Sequence, residues 1–147
     1  MTKIHAYLNF NGNCEEAFEF YKKVFQKESM GLLRFGDMPE DPNFSIPEPE
    51  RHKIMHTAIQ LNPHTMLMGS DCIEGFGHQL THGNNTYIML DTETAAEAQR
   101  LYTELTTQAK SIEMALGEQA WAELYASFQD RFGVWWMIHF EGNKAHS

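Results

Sequence analysis

The sequence predicts an α+β fold built from two β-α-β-β-β modules, carried by a single domain of 147 residues. Three observations predict it. Residues 4–10, Ile-His-Ala-Tyr-Leu-Asn-Phe, have the aromatic and branched composition of a strand, and Cys14, Ala17, Phe18, Tyr21, Val24 and Phe25 then fall on one face of a helix. A shift of 81 residues carries Glu16 onto Glu97, Ala17 onto Ala98, Tyr21 onto Tyr102, Val24 onto Leu105 and Gly36 onto Gly117. Beyond Gly117 a shift of 69 lays Ala58-Ile59-Gln60 over Ser127-Phe128-Gln129 and the turn Asn62-Pro63-His64 over Asp130-Arg131-Phe132-Gly133.

Taken in order, Asn11-Gly12-Asn13 turns the chain from the first strand into the helix, and Glu15 and Glu16 place negative charge beside its unpaired amides. Met30–Phe35 reads as the second strand, ending at Gly36. Residues 37–53 hold four of the five prolines among five carboxylates, a composition that predicts an exposed insertion loop. Residues 54–61 and 65–69 form a predicted hairpin, and the polar, glycine-containing stretch 70–85 a crossover linker. The first module thus covers about 3–70 and the second about 86–141. In the second, Thr86–Asp91 is a strand, Thr94 caps a helix with Ala95, Ala98, Tyr102 and Leu105 on its apolar face, and a strand ends at Gly117. Glu118–Leu124 has good helix formers, yet the repeat predicts a short turn around Trp121 and a strand from about Glu123.

The formal charge of -9, with 20 acidic against 11 basic residues, excludes nucleic acid and anionic membrane surfaces as partners. No apolar run approaches the roughly 18 residues of a membrane span and no signal-like start precedes the first strand, so a cytoplasmic protein is expected. Cys14 and Cys72 form no disulfide framework, and Cys14 is read as a small residue on the apolar helix face.

Tyr7-Leu8-Asn9-Phe10-Asn11-Gly12-Asn13-Cys14-Glu15-Glu16-Ala17, with Trp121, Tyr125 and Asp130-Arg131-Phe132-Gly133-Val134-Trp135-Trp136-Met137-Ile138, resembles the PhnB-like branch of the vicinal oxygen chelate superfamily. That superfamily includes glyoxalase I, bleomycin-resistance proteins, fosfomycin-resistance enzymes and extradiol dioxygenases. The resemblance spans residues 3–141. It implies curled mixed sheets around a shared cavity, and a homodimer. In metal-dependent members each module supplies one ligand from its first strand, usually His, and one from its last, usually Glu. Carried onto this sequence those positions are His5, Thr86, Met68 and Met137. A thioether is a poor ligand for a hard divalent ion, so no metal or other cofactor is expected at the family's usual place. The alternative metal site is a relocated cluster of His5, His56 and His139. The other five histidines, His52, His64, His78, His82 and His146, fall in loops, turns or the tail.

Alternation puts His5, Tyr7 and Asn9 on one strand face and Trp135, Met137 and His139 on another. With Met68 and Thr86 these residues are the expected ligand cavity. The expected function is metal-free binding of a small apolar or aromatic molecule. The alternative is a glyoxalase- or lyase-type enzyme using the relocated histidine site or His5 as an acid–base group. A third reading is an interaction module whose cavity is unused. The methyltransferase name sometimes given to this branch implies a methyl donor, for which the sequence has no glycine-rich motif.

Overall fold

The computed structural model describes residues 1–144; His146 lies outside the described residues. The chain forms two compact units, Met1–Thr81 and His82–Ser147, which divide within the 70–85 segment. The first unit contains β1 (Ala6–Phe10), α1 (Cys14–Phe25), β2 (Ser29–Arg34), β3 (Ile54–Asn62) and β4 (Thr65–Asp71). The second contains β5 (Ile88–Asp91), α2 (Ala95–Leu105), β6 (Ser111–Gln119), β7 (Ala122–Gln129) and β8 (Trp135–Phe140). The spatial orders are β1-β4-β3-β2 and β5-β8-β7-β6. In each sheet the first strand runs parallel to the last and the other neighbours are antiparallel. The expected fold, two helices and two four-stranded mixed sheets, is what the chain adopts.

In the first unit α1 buries Cys14, Ala17, Phe18, Tyr21 and Val24. Its ring Phe18 presses on β4 so closely that a Cβ on Gly69 would lie 2.6 Å from Phe18 Cε2 and 3.0 Å from the Leu8 carbonyl. Burial of this apolar helix stripe holds the helix to the sheet. In the second unit Ala98, Leu101 and Leu105 are the buried face of α2, and Tyr102 meets Phe128 of β7 edge-on. Here Ile138 stands at the register position of Gly69, while Gln99, the counterpart of Phe18, is exposed. The volume supplied by the helix in one module comes from the sheet in the other.

β2 and β3 differ from the sequence reading by one residue at their ends, and three boundaries differ for a structural reason. Gly117 does not end its strand: it pairs with Tyr125, and β6 continues to Gln119. The second module lacks the insertion, so β6 turns directly through Ala120-Trp121 into β7, and register shifts on either side of Gly117 absorb the irregularity. Glu118–Leu124 is accordingly strand and turn, not helix. β5 begins at Ile88, two residues after Thr86. Pairing explains this: Tyr7 lies opposite Met68 and Met89 opposite Met137, so the strands correspond with a shift of 82 where the helices correspond with 81. Tyr87 therefore occupies in the second module the place of His5 in the first. Finally, β4 extends to Asp71, beyond the predicted Gly69, because Asp71 is a buried structural centre.

The insertion loop is exposed over most of its length but is folded. Its ends are joined by Phe35 N–H donating to the Lys53 carbonyl at 3.0 Å and Gly36 N–H to the Arg51 carbonyl at 2.9 Å. Two short 3-10 turns, Phe35–Asp37 and Glu48–Glu50, and a bridge between Asp41 and Phe44 shape the remainder.

Candidate functional site

Each sheet has one face covered by its helix and one without. In the first unit Phe18 meets Gly69, so alternation turns Met68 to the helix-free face, with Tyr7 and Ala58 beside it in register. Tyr7 and His56 stack across this face with centroids 5.8 Å apart, and the phenol oxygen lies 3.3 Å from His56 Nδ1. Tyr7 is 46% exposed. Asn9 stands opposite Ser70 on the same side. His5 Nδ1 accepts the Met66 backbone N–H at 2.9 Å. That bond requires a lone pair on Nδ1, so the ring proton sits on Nε2.

In the second unit Phe128 faces α2, and Ser127, Met137 and Met89 line up on the opposite side. The Tyr125 hydroxyl donates to Met137 Sδ at 3.2 Å, and Trp121 meets Tyr125 edge-on at 5.3 Å. Tyr87 packs against Trp135 at 5.5 Å and donates its hydroxyl to Glu113 at 2.7 Å. This carboxylate hydrogen bond, with burial and the same negative charge behind it, raises the Tyr87 phenol above its ordinary pKa. His139 Nδ1 lies 2.9 Å from Asp91 Oδ1. A carboxylate accepts only, so Nδ1 carries a proton, and in the neutral ring Nε2 keeps its lone pair.

Two cavities open in the first unit. One, of about 540 Å³, is enclosed by the insertion loop, and the other, of about 300 Å³, by Asn11, Cys72 and the 73–80 segment. In the second, Cys72 Sγ lies 3.7 Å from His78 Nε2. Desolvation and then the Asp71 charge push the Cys72 thiol up, so it is not poised as a thiolate nucleophile. Cys14 is fully buried and its thiol is pushed up by the same two causes in the same order, as its place on the apolar helix face requires.

The family's metal position does not fit a hard divalent ion. Taken unit by unit, the first offers His5, whose Nδ1 already accepts the Met66 amide, with the Met68 thioether, and the second offers the Met137 thioether with Tyr87 in the place expected of Thr86. Among the described residues no group of three or more His, Cys, Asp or Glu is placed to hold a metal ion. His5, His56 and His139 each have a separate partner: Met66 N–H, Tyr7 and Asp91.

Sequence alternation had placed His5, Tyr7, Asn9, Trp135, Met137 and His139 on strand faces. It missed Tyr87, Tyr125 and Asp91. Tyr87 and Asp91 were readable as alternate positions to Met89, but only the parallel register puts Asp91 beside His139.

The sequence model of the 3-demethylubiquinone-9 3-methyltransferase family matches residues 2–139. The chain belongs to this PhnB-like family. Among its relatives is Protein YjdN of Escherichia coli K12, 31% identical over 141 residues, covering 92% of this chain and 93% of that protein. The crystal structure of PA1353 from Pseudomonas aeruginosa is 35% identical with a TM-score of 0.81, covering 96% and 98% of the two chains. A PhnB protein from Bacillus cereus described as a 3-demethylubiquinone-9 3-methyltransferase is 26% identical, TM-score 0.73, covering 95% and 99%. At 10% identity and a TM-score of 0.62, over 98% and 96% of the chains, the fosfomycin resistance protein of Listeria monocytogenes shares the fold alone. The PhnB-like chain thus has the fold of the glyoxalase, bleomycin-resistance and fosfomycin-resistance proteins. No described helix is long and apolar enough to cross a membrane.

Proposed function

We propose that this PhnB-like protein binds a small apolar or aromatic molecule on the helix-free side of its sheets, without a metal. The observation that carries this is the surface of Tyr87, Trp135, Tyr125, Trp121 and Met137, whose rings and thioether share one side of the second sheet. Trp121 and Met89 are half exposed there, at 51% and 53%. Aromatic faces and a polarisable thioether suit a flat apolar ligand, and the Tyr87, Tyr125 and His139 polar atoms orient it. The Tyr7–Met68–His56 face of the first sheet has the same character.

The test is thermal denaturation of chelator-treated protein with 1-naphthol as probe. Saturation a hundredfold above Kd contributes about 2.7 kcal/mol, a rise of roughly 5–10 °C for a chain of this size. Met137→Lys is expected to remove the rise. An unmoved melting temperature, or one that rises only after metal is restored, rejects the reading.

The second reading is enzymatic, and it shifts the acid–base group from His5 to His139. With Nδ1–H directed at Asp91, the neutral His139 ring offers Nε2 as a proton acceptor, whereas the acceptor nitrogen of His5 is taken by the Met66 amide. Methyl transfer has less support. The amides of Gly12 and Cys14 at the start of α1, where an anionic part of a donor would sit, are both taken by Asp71. A homodimer in the cytoplasm is part of the proposal, supported by exposed Met30, Leu32 and Leu33 on the edge strand β2 and checked by sedimentation.

A further inference from the structure

The insertion loop encloses a second site. Phe35 and Phe76 meet edge-on at 5.6 Å and Phe44 and Phe76 at 5.5 Å, and these rings, with Met38 and Ile46, line the 540 Å³ cavity. This is the size of a small-molecule pocket, and its apolar walls are built of rigid groups. The loop is closed at its root by the Gly36–Arg51 bond, where a Cβ on Gly36 would lie 3.1 Å from both Arg51 Cβ and its carbonyl oxygen. Glycine is what allows that approach.

Arg51 lines the cavity together with these rings. Arg51 Nε donates to the Ile46 carbonyl at 3.3 Å and lies 3.5 Å from Glu48, which fixes the guanidinium against the loop. Its two Nη groups have no protein partner among the described residues. Glu40 and Asp41 on the rim, in a chain of charge -9, disfavour an anionic ligand. The geometry points to a neutral planar aromatic molecule with a carbonyl oxygen, its rings among Phe35, Phe44 and Phe76 and its oxygen on Arg51 Nη. Phe76 is 39% exposed, so the pocket is open to entry beside it.

Protein with 13C-methyl methionine, titrated with 2-acetylnaphthalene, separates this site from the sheet faces. Met38 reports the loop pocket, and Met68 and Met137 report the faces. Movement of the Met38 resonance is expected, with Kd raised at least tenfold in Phe44→Ala and Arg51→Gln, and with 2-naphthoate binding more weakly than the ketone. Phe76→Ser, in an exposed turn, serves if Phe44→Ala does not fold. A Met38 resonance that stays still while Met68 or Met137 moves overturns the loop site and leaves the sheet-face reading standing. Movement with protein concentration alone assigns the pocket to a second copy of the chain, which also overturns it.

Discussion

Asp71 and Cys14, 57 residues apart in the chain, meet at 2.9 Å, the carboxylate Oδ1 accepting the amide with which α1 begins. The same oxygen accepts Gly12 N–H at 2.9 Å, and Oδ2 accepts Ile54 N–H at 2.8 Å. One buried carboxylate therefore joins the end of β4, the turn before α1 and the start of β3. The second module has no counterpart at that position. It caps α2 with Thr94 and uses Asp130 instead, which accepts from Phe132 N–H, Val134 N–H and the Trp136 indole.

Asp71→Asn keeps the volume but points an amide donor at one of these N–H groups. A loss of about 2–4 kcal/mol in urea unfolding is expected, because buried hydrogen bonds to a charged acceptor are lost and a donor is left unmet. A loss below about 0.5 kcal/mol would show that the three bonds are not what holds the turn.

Gly69→Ala is expected to cost about 1–3 kcal/mol through overpacking, since the new methyl meets Phe18 and the Leu8 carbonyl. Phe18→Leu in the same chain should recover part of it. Additive losses in the double mutant would count against direct contact as the cause.

Glu15 and Arg34 form a paired contact, with Arg34 Nη2 donating to Glu15 Oε2 at 2.7 Å and Nη1 to Oε1 at 3.1 Å. The Arg34 hydrogen bond is the main cause that lowers the Glu15 carboxyl below its ordinary 4.5. A depressed carboxyl stabilises the fold above about pH 4.5 and loses that contribution as pH falls through its folded value. The pair is half exposed, so the effect is at most about 1 kcal/mol. Glu15→Gln should be less stable near pH 6 and lose less between pH 5 and 3. Parallel stability curves would refute this.

Asp91→Asn tests the His139 arrangement. Wild-type His139 holds its Nδ1 proton toward Asp91, and an asparagine can present either oxygen or amide. The 15N shifts of His139 should move toward a mixture of tautomers, with under about 1 kcal/mol lost because Asp91 is exposed. Unchanged shifts would mean Asp91 does not set the tautomer.

The modules were legible because the signals that define them are local. Cys14, Ala17, Tyr21 and Val24 recur at helical spacing, Ala98 and Leu105 repeat that pattern, and the 69-residue shift survives as Ala58–Met68 and Ser127–Met137 pairs. Even the turn around Trp121 and the strand that follows it came from the repeat, against the helix propensity of Glu118–Leu124. The candidate site was legible only as strand faces: alternation grouped Trp135, Met137 and His139, whatever they touch.

Tertiary structure decided the partners. His5 met a backbone amide, His56 met Tyr7, and His139 met Asp91 across 48 residues. A one-residue difference between strand and helix shifts put Tyr87 where Thr86 was expected. The proline-rich loop folded around a pocket because Gly36 and Arg51 come together. Periodicity records which face a side chain takes, since burial acts on each residue's own spacing. Which polar atoms meet depends on sheet register and loop closure, and those are set by contacts between segments far apart in the chain.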